Sequence, residues 1–132
     1  MSMRYPWLEE YLLSHSGARQ DFKPEWQWQR FLVRDRMFAA LCVPGEAHRV
    51  YGGHELLNLK CEPALGELLQ KEYPHILPGF YMDKRHWIAV LLDGDVPEDV
   101  LRDLCSRSYR LVTAKLPRKV RAQLEEEANH GR

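Results

Sequence analysis

Two pairs of short apolar segments, each joined by a short polar turn, constrain the fold of this chain more than any other feature. In the first pair, residues 26–34 and 37–43 meet at the polar turn Arg34–Arg36. In the second pair, residues 80–82 and 86–92 are joined by three charged residues. Apolar segments of strand length that are separated by so few residues pair as antiparallel hairpins. The sequence therefore predicts an antiparallel sheet.

Prolines mark the starts of helix-like segments elsewhere in the chain. Apolar residues recur at helical spacing after Pro6, Pro63 and Pro97, and a fourth helix is predicted to start at Pro117. One more strand, residues 56–61, alternates between two faces. The elements follow in the order αβββαββαα. We predict a two-layer α+β fold in which the helices pack on one face of the antiparallel sheet.

The composition limits how such a fold could hold nucleic acid. The 132 residues suit a single domain over 1–132, and 45% hydrophobic residues are typical of a globular protein. Lys and Arg number 19, as do Asp and Glu, so the formal net charge is zero. Because no overall positive field exists, nucleic-acid binding would need a local cluster of cations.

The cysteines and the apolar segments favour the cytoplasm. Cys42, Cys61 and Cys105 are odd in number and form no Cys-x-x-Cys pair, which favours free buried thiols in a reducing compartment. Pro6 interrupts the N-terminal segment, which lacks the pattern of a signal peptide. The longest apolar run, Trp87–Leu92, is far shorter than the ~20 residues that span a bilayer, so we expect no membrane association.

Patterns typical of catalysis or of a bound metal are weak. Cys61 and His86 could face each other on predicted strands, but no nucleophile elbow or orienting Asp motif accompanies them. The histidines lack metal-ligand spacing. The Gly52–Gly53 pair is not followed by the Gly-Lys-Ser/Thr element of a phosphate loop. We therefore predict that the chain is not an enzyme and holds no cofactor or metal.

Basic residues near the last predicted helix point instead to phosphate binding. Between residues 107 and 121 there are six positive charges and no acidic residue. A helix N-terminus presents free N–H groups to an anion. In the alternative interpretation the helix is merely solvated, with Arg121 and Glu125 one turn apart. The four cations that bracket Pro117 are Lys115, Arg118, Lys119 and Arg121.

A second basic segment combines the predicted hairpin tip, the aromatic residue after it and a lysine of an earlier strand: Lys84, Arg85, His86, Trp87 and Lys60. The cations could contact phosphates while the ring stacks on a base. Alternatively, Trp87 starts a buried strand and the cations only make the turn polar. Trp26 and Trp28 pose a similar choice, because tryptophans on one face of a strand most often belong to the core or cover the sheet.

The sequence resembles the YjbR/MmcQ family of small bacterial proteins over five segments: Asn58–Pro63, Tyr73–Trp87, Leu92–Gly94, Ser108–Tyr109 and Leu116–Arg121. Weaker agreement extends upstream through residues 17–22 and 37–39. The combination of the basic-His-Trp hairpin with a following Asp-Gly turn carries the resemblance. Lys23–Gln29 departs from the family pattern, because two tryptophans stand where a Pro-Phe-Gly-like turn is expected.

This resemblance implies a fold similar to frataxin-like (CyaY-like) domains and to type III secretion chaperones. It also implies a DNA-binding protein whose paired hairpins act as wings. Frataxin-like iron handling would need an acidic ridge, and the Glu9–Glu10 pair of the first helix makes a poor one. The positions that match the family's hairpin and its terminal Leu-Pro-basic pattern are Lys60, Lys84, Arg85, His86, Trp87, Arg118, Lys119 and Arg121.

We predict a DNA-binding protein that contacts the phosphate backbone through the basic hairpin and the start of the last helix, with little sequence specificity. The alternative is a protein-interaction or chaperone-like module that uses an exposed aromatic patch and binds no nucleic acid. The predicted partner is thus DNA or a protein, and open sheet edges fit a monomer or a weak homodimer. The candidate contact residues are Lys60, Lys84, Arg85, His86, Trp87, Lys115, Arg118, Lys119 and Arg121.

Overall fold

One six-stranded antiparallel sheet and four helices form the part of the chain that the structure, a computed structural model, describes, residues 4–130. The strands are β1 Ala18–Lys23, β2 Trp28–Val33, β3 Arg36–Cys42, β4 Leu56–Lys60, β5 Ile76–Pro78 and β6 Trp87–Leu91. Their spatial order is β1-β2-β3-β4-β6-β5. The helices are α1 Leu8–Leu13, α2 Pro63–Glu72, α3 Glu98–Thr113 and α4 Arg118–His130.

The main core lies between the helices and one face of the sheet. Leu57 and Leu59 of β4 are fully buried there. All four helices add buried leucines to the same cluster, among them Leu12 of α1 and Leu101 of α3. Burying such side chains stabilises the fold by about 2 kcal/mol each. The predicted α+β class, with helices on one face of an antiparallel sheet, is confirmed.

Loops rather than helices cover the opposite face of the sheet. A smaller cluster there joins Trp28 of β2 and Leu56 of β4 to Phe80, which lies in the loop between β5 and β6. Tyr51, in the loop between β3 and β4, packs against the same cluster, and its hydroxyl donates to the carbonyl oxygen of Pro78 at 2.8 Å. The two loops thus close this face of the sheet without a helix.

The predicted order αβββαββαα is wrong in one respect, because the observed order is αββββαββαα. The additional strand, β1, is an edge strand that pairs only with β2. Its side chains are exposed or half-buried and its sequence is largely polar. An exposed edge strand needs no apolar alternation, so the pattern that reveals the other strands is missing from it.

The strand predicted at residues 80–82 is also wrong. Ile76–Pro78 forms β5 and pairs with β6, whereas the chain turns at Phe80 and Tyr81. Tyr81 has a φ of 53°, in the left-handed region that a strand does not use. The apolar character of Phe80 and Met82 comes instead from their contact with the smaller core cluster.

The three cysteines are free and buried, as predicted. Burial raises the pKa of the Cys61 thiol to about 11, so this thiol is protonated near neutral pH. Within residues 4–130, no helix combines the length and the apolar character that crossing a bilayer requires.

The β2–β3 hairpin turns through two residues, Arg34 and Asp35, because Val33 pairs with Arg36. Both turn residues have positive φ, 48° and 64°, which defines a type I′ turn. This turn matches the twist of the flanking strands but strains side chains other than Gly, Asn and Asp.

Asp35→Gly is therefore expected to unfold at higher denaturant concentration than Asp35→Ala, by about 1 kcal/mol in the free energy of unfolding. Both substitutions remove the same exposed ion pair with Arg19, so the comparison isolates the backbone. Equal stabilities of the two variants, measured by urea titration, would contradict the assignment of the turn.

Candidate functional site

Lys60 stands at the end of the central strand β4, where α3 docks on the sheet. Its backbone N–H donates to the hydroxyl of Ser108 at 2.8 Å, and that hydroxyl donates to the carbonyl oxygen of Phe38 at 2.6 Å. Phe38 is an extra residue in β3, opposite the step between Phe31 and Leu32, so it lies in a β-bulge. Ser108 is fully buried and holds α3 against β3 and β4 at this end of the sheet.

This docking brings three cations from separate parts of the chain together. Partial burial lowers the pKa of Lys60, and the neighbouring positive charges of Lys115 and Arg36 lower it further. The carboxylate of Asp83 has the opposite, smaller effect. We call Arg36, Lys60 and Lys115 the cationic cluster. It unites Lys60 and Lys115, which the sequence analysis had placed in two different basic segments.

Other cations of the molecule are neutralised by carboxylates. Arg30 pairs with Asp21 at 2.6 Å, Arg34 with Glu127 at 2.8 Å, and the arginines at 19 and 107 are also paired. Among residues 4–130, by contrast, no ion pair within 4 Å involves Arg36 or the predicted contact residues Lys60, Lys84, Arg85, Lys115, Arg118, Lys119 and Arg121. These charges are available to an anion from outside.

The hairpin-tip residues follow Asp83, whose carboxylate interacts with Lys60. Lys84 donates to the carbonyl oxygen of Gly79 at 2.9 Å and, with Arg85, lines a cavity of about 70 Å³ against α2. His86 and the amide N–H of Arg85 both bind the carboxylate of Asp83, at 2.6 and 2.9 Å, which lowers the pKa of that carboxyl. The turn therefore holds its own geometry through Asp83.

The remaining predicted contact residues lie on β6 and α4. Trp87 is half-buried in β6, where it pairs with Lys60. Arg118 and Lys119 are exposed in the first turn of α4. Arg121 lines a separate groove of about 900 Å³ between α1, α3 and α4, which shares no lining residue with the cavity beside Lys84.

An apolar groove of about 500 Å³ lies on the loop-covered face of the sheet. Its most exposed residues are Trp26, of which 60% is exposed, and Tyr81, of which 73% is exposed. The sequence analysis noted Trp26 and Trp28 but placed Tyr81 in a strand, so it did not predict that these aromatic residues line one groove. We call this the aromatic groove; it is lined by Trp26, Trp28, Arg30, Met37, Tyr81 and Met82.

A buried amide holds the loop that forms one wall of the aromatic groove. The side chain of Asn58, at the middle of β4, donates to the carbonyl oxygen of Phe80 and accepts from the N–H of Phe80, both at 2.9 Å. Both backbone groups of Phe80 are thereby satisfied without a partner strand. Tyr81 then extends outward, its ring stacked on that of Phe80 at 4.5 Å.

In the described part of the chain, no three His, Cys, Asp or Glu side chains lie close enough together to hold a metal ion. Cys61 and His86 meet through their backbones, where the N–H of Cys61 donates to the carbonyl oxygen of His86 at 2.8 Å. The candidate binding sites are the cationic cluster and the aromatic groove.

Comparison with known proteins identifies the family. The YjbR family model matches residues 13–111, and the chain belongs to this family. It is 28% identical to the uncharacterised protein YjbR of Escherichia coli strain K12 over 117 residues, which cover 89% of this chain and 93% of that protein. It is 32% identical to the uncharacterised protein YyaQ of Bacillus subtilis strain 168 over 107 residues, 81% of each chain.

A solved structure supports the fold. The crystal structure of the Deinococcus radiodurans protein DR2400 matches this chain with a TM-score of 0.75 and 30% sequence identity, over 89% of this chain and 85% of that one. The resemblance to the YjbR family is thus confirmed. The similarity to CyaY-like domains and secretion chaperones stays a prediction.

Asn58→Leu is expected to lower the free energy of unfolding by about 3 kcal/mol, because it leaves two buried backbone groups of Phe80 without partners. Tyr51→Phe is the matched control, since it removes a single half-buried hydrogen bond to Pro78, at the end of β5 just before that loop. We expect that control to cost about 1 kcal/mol. Chemical denaturation followed by tryptophan fluorescence measures both; similar costs would show that Asn58 does not hold the loop.

Proposed function

We propose that the chain binds DNA through its phosphate backbone, with the cationic cluster at the centre of the contact. The observation that carries the proposal is the proximity of Arg36 at the start of β3 and Lys115 in the turn after α3 to Lys60 at the end of β4, without an ion pair to any described carboxylate. The positive charges of Lys115 and Arg36 disfavour the charged form of Lys60. A phosphate between them would relieve the repulsion, which makes the cluster a site for an anion.

The first turn of α4 extends this positive surface. Arg118 and Lys119 follow Lys115 closely along the chain, and the first turn of α4 contains no acidic residue. Cations at a helix N-terminus oppose the helix dipole by about 0.3–1 kcal/mol each, reduced by solvent screening. The same position attracts a phosphate, because free N–H groups and side-chain cations act together.

The expected binding has little sequence preference. Lysine and arginine contacts to phosphates position a protein on DNA but do not distinguish bases. Contact of Lys84, Arg85, His86, Trp87 and Arg121 with the same DNA stays a prediction. As part of the proposal, the chain acts in the cytoplasm as a binding protein rather than an enzyme, as a monomer or weak homodimer.

The alternative function is a protein-interaction module, and the exposed aromatic groove is the observation that favours it. Exposed apolar surface lined by aromatic residues is common at protein interfaces. The alternative predicts no binding of duplex DNA even at low ionic strength. Phosphate contact through the cationic cluster predicts that such binding occurs.

Binding of a labelled duplex, followed by fluorescence anisotropy across a salt series, tests the proposal. If about four phosphates are neutralised, the logarithm of the association constant falls with that of the salt concentration with a slope of roughly −4. Lys115→Gln should make the slope shallower by about one, and Lys60→Gln combined with it by about two. Each variant should also weaken binding at low salt.

Lys71→Gln is the matched control, because Lys71 is an exposed lysine in the last turn of α2, away from the cationic cluster. It should leave the salt slope unchanged. The proposal is overturned if the protein does not bind duplex DNA at low salt. An equal effect of the Lys71 and Lys115 substitutions would show that the cationic cluster has no special part in binding.

A further inference from the structure

Four aromatic rings form a continuous row across the aromatic groove. Trp26 contacts Trp28 at a centroid distance of 5.7 Å, Trp28 contacts Phe80 at 6.4 Å, and Phe80 stacks on Tyr81 at 4.5 Å. The two inner rings are buried and the two outer rings are mostly exposed. Each exposed ring is thus held from behind by a buried ring, which makes the row a rigid platform.

The backbone at both ends of this platform is held in an uncommon conformation. Gln27, between the two tryptophans, has a φ of 56°, and Tyr81 has a φ of 53°. Such conformations cost residues other than glycine about 1–3 kcal/mol, and they cluster at binding sites. Here they keep Trp26 and Tyr81 on the surface instead of in the core.

Lys60 of the cationic cluster lies on the same face of the sheet as the aromatic groove. It stands two residues after Asn58 in β4, so both side chains point to the loop-covered face, where Asn58 binds the backbone of Phe80. On one wall of the groove Met82 precedes Asp83, whose carboxylate interacts electrostatically with Lys60. Arg36 precedes Met37 but pairs with Val33 of the main core, so it starts on the other face. The unpaired cation of Lys60 and the apolar ring faces therefore share one face of the sheet.

We infer that the aromatic groove binds the unpaired bases of single-stranded DNA, while the cationic cluster holds the phosphates of the same strand. This inference rests on the proposed function and specifies the form of nucleic acid that is preferred. Single-strand binding proteins combine the same two elements, aromatic side chains that stack on bases and a positive surface that follows the backbone. In a duplex the base faces are already stacked on each other and are closed to Trp26 and Tyr81.

Charge favours this occupant over an apolar protein segment. An apolar peptide that filled the groove would leave Lys60, on the same face of the sheet, without an anion. A nucleotide strand carries a negative charge beside every base, so one ligand satisfies both surfaces. A strand of thymidines is a suitable probe because it forms no duplex with itself.

The experiment compares three DNAs of equal length: oligothymidylate, an abasic strand with the same phosphates, and a duplex. Trp26→Ala should weaken binding of oligothymidylate by about tenfold and leave the abasic strand and the duplex unchanged. Tyr81→Asn, which keeps a residue that tolerates positive φ, should act in the same way. Lys60→Gln with Lys115→Gln should weaken binding of all three.

Phe22→Ala is the matched control, because Phe22 is as exposed as Trp26, at 58%, but pairs with Gln29 and so points to the other face of the sheet. It should leave every affinity unchanged. If the duplex binds but neither Trp26→Ala nor Tyr81→Asn affects oligothymidylate, the inference is overturned and the proposed function stands. If none of the three DNAs binds at low salt, both are overturned.

Discussion

The buried amide of Asn58 is the interaction on which the loop-covered face of the sheet depends. A polar side chain in the middle of a central strand would be costly without partners, and Asn58 finds both of its partners on the backbone of Phe80. Because those two backbone groups are satisfied, the chain can leave the sheet after β5 and need not continue as a strand. The ring of Phe80 then reaches Trp28, and Tyr81 reaches the surface.

Ser108 has a corresponding role on the helical face. The pairing between β3 and β4 ends at Ala39 and Leu59, and just beyond it the hydroxyl of Ser108 accepts from the N–H of Lys60 and donates to the carbonyl oxygen of Phe38. This fixes α3 beside the end of β4, and Lys115, in the turn after α3, lies near Lys60. Two small buried polar side chains, one on each face, thus position the aromatic groove and the cationic cluster.

Elements with local signals were predictable from the sequence. The β2–β3 hairpin follows from apolar segments around a polar turn, and α2 and α4 begin beside prolines, as expected. The edge strand β1 carries no apolar alternation and was missed. Residues 80–82 have the apolar character of a strand, but the hydrogen bonds of Phe80 go to the side chain of Asn58, which no local pattern indicates.

The candidate site was predictable only in part, because it too depends on contacts between residues that are far apart in the chain. Lys60 and Lys115 were identified from local charge, yet their proximity depends on the docking of α3, which joins residues far apart in the chain. Arg36 was taken as a turn residue, although it begins β3 beside the other two cations. The exposure of Tyr81 results from a left-handed backbone that a tyrosine seldom adopts.

The strand order leaves two edge strands, β1 and β5, and each is poorly suited to pairing with a strand of another molecule. The edge strand β5 is three residues long and ends in Pro78, which has no N–H to donate. The edge strand β1 alternates the charges of Arg19, Asp21 and Lys23, so a strand that paired there would have to match that pattern of charges. Such edges disfavour edge-to-edge aggregation at high concentration, whereas flat apolar edges would nucleate fibrils.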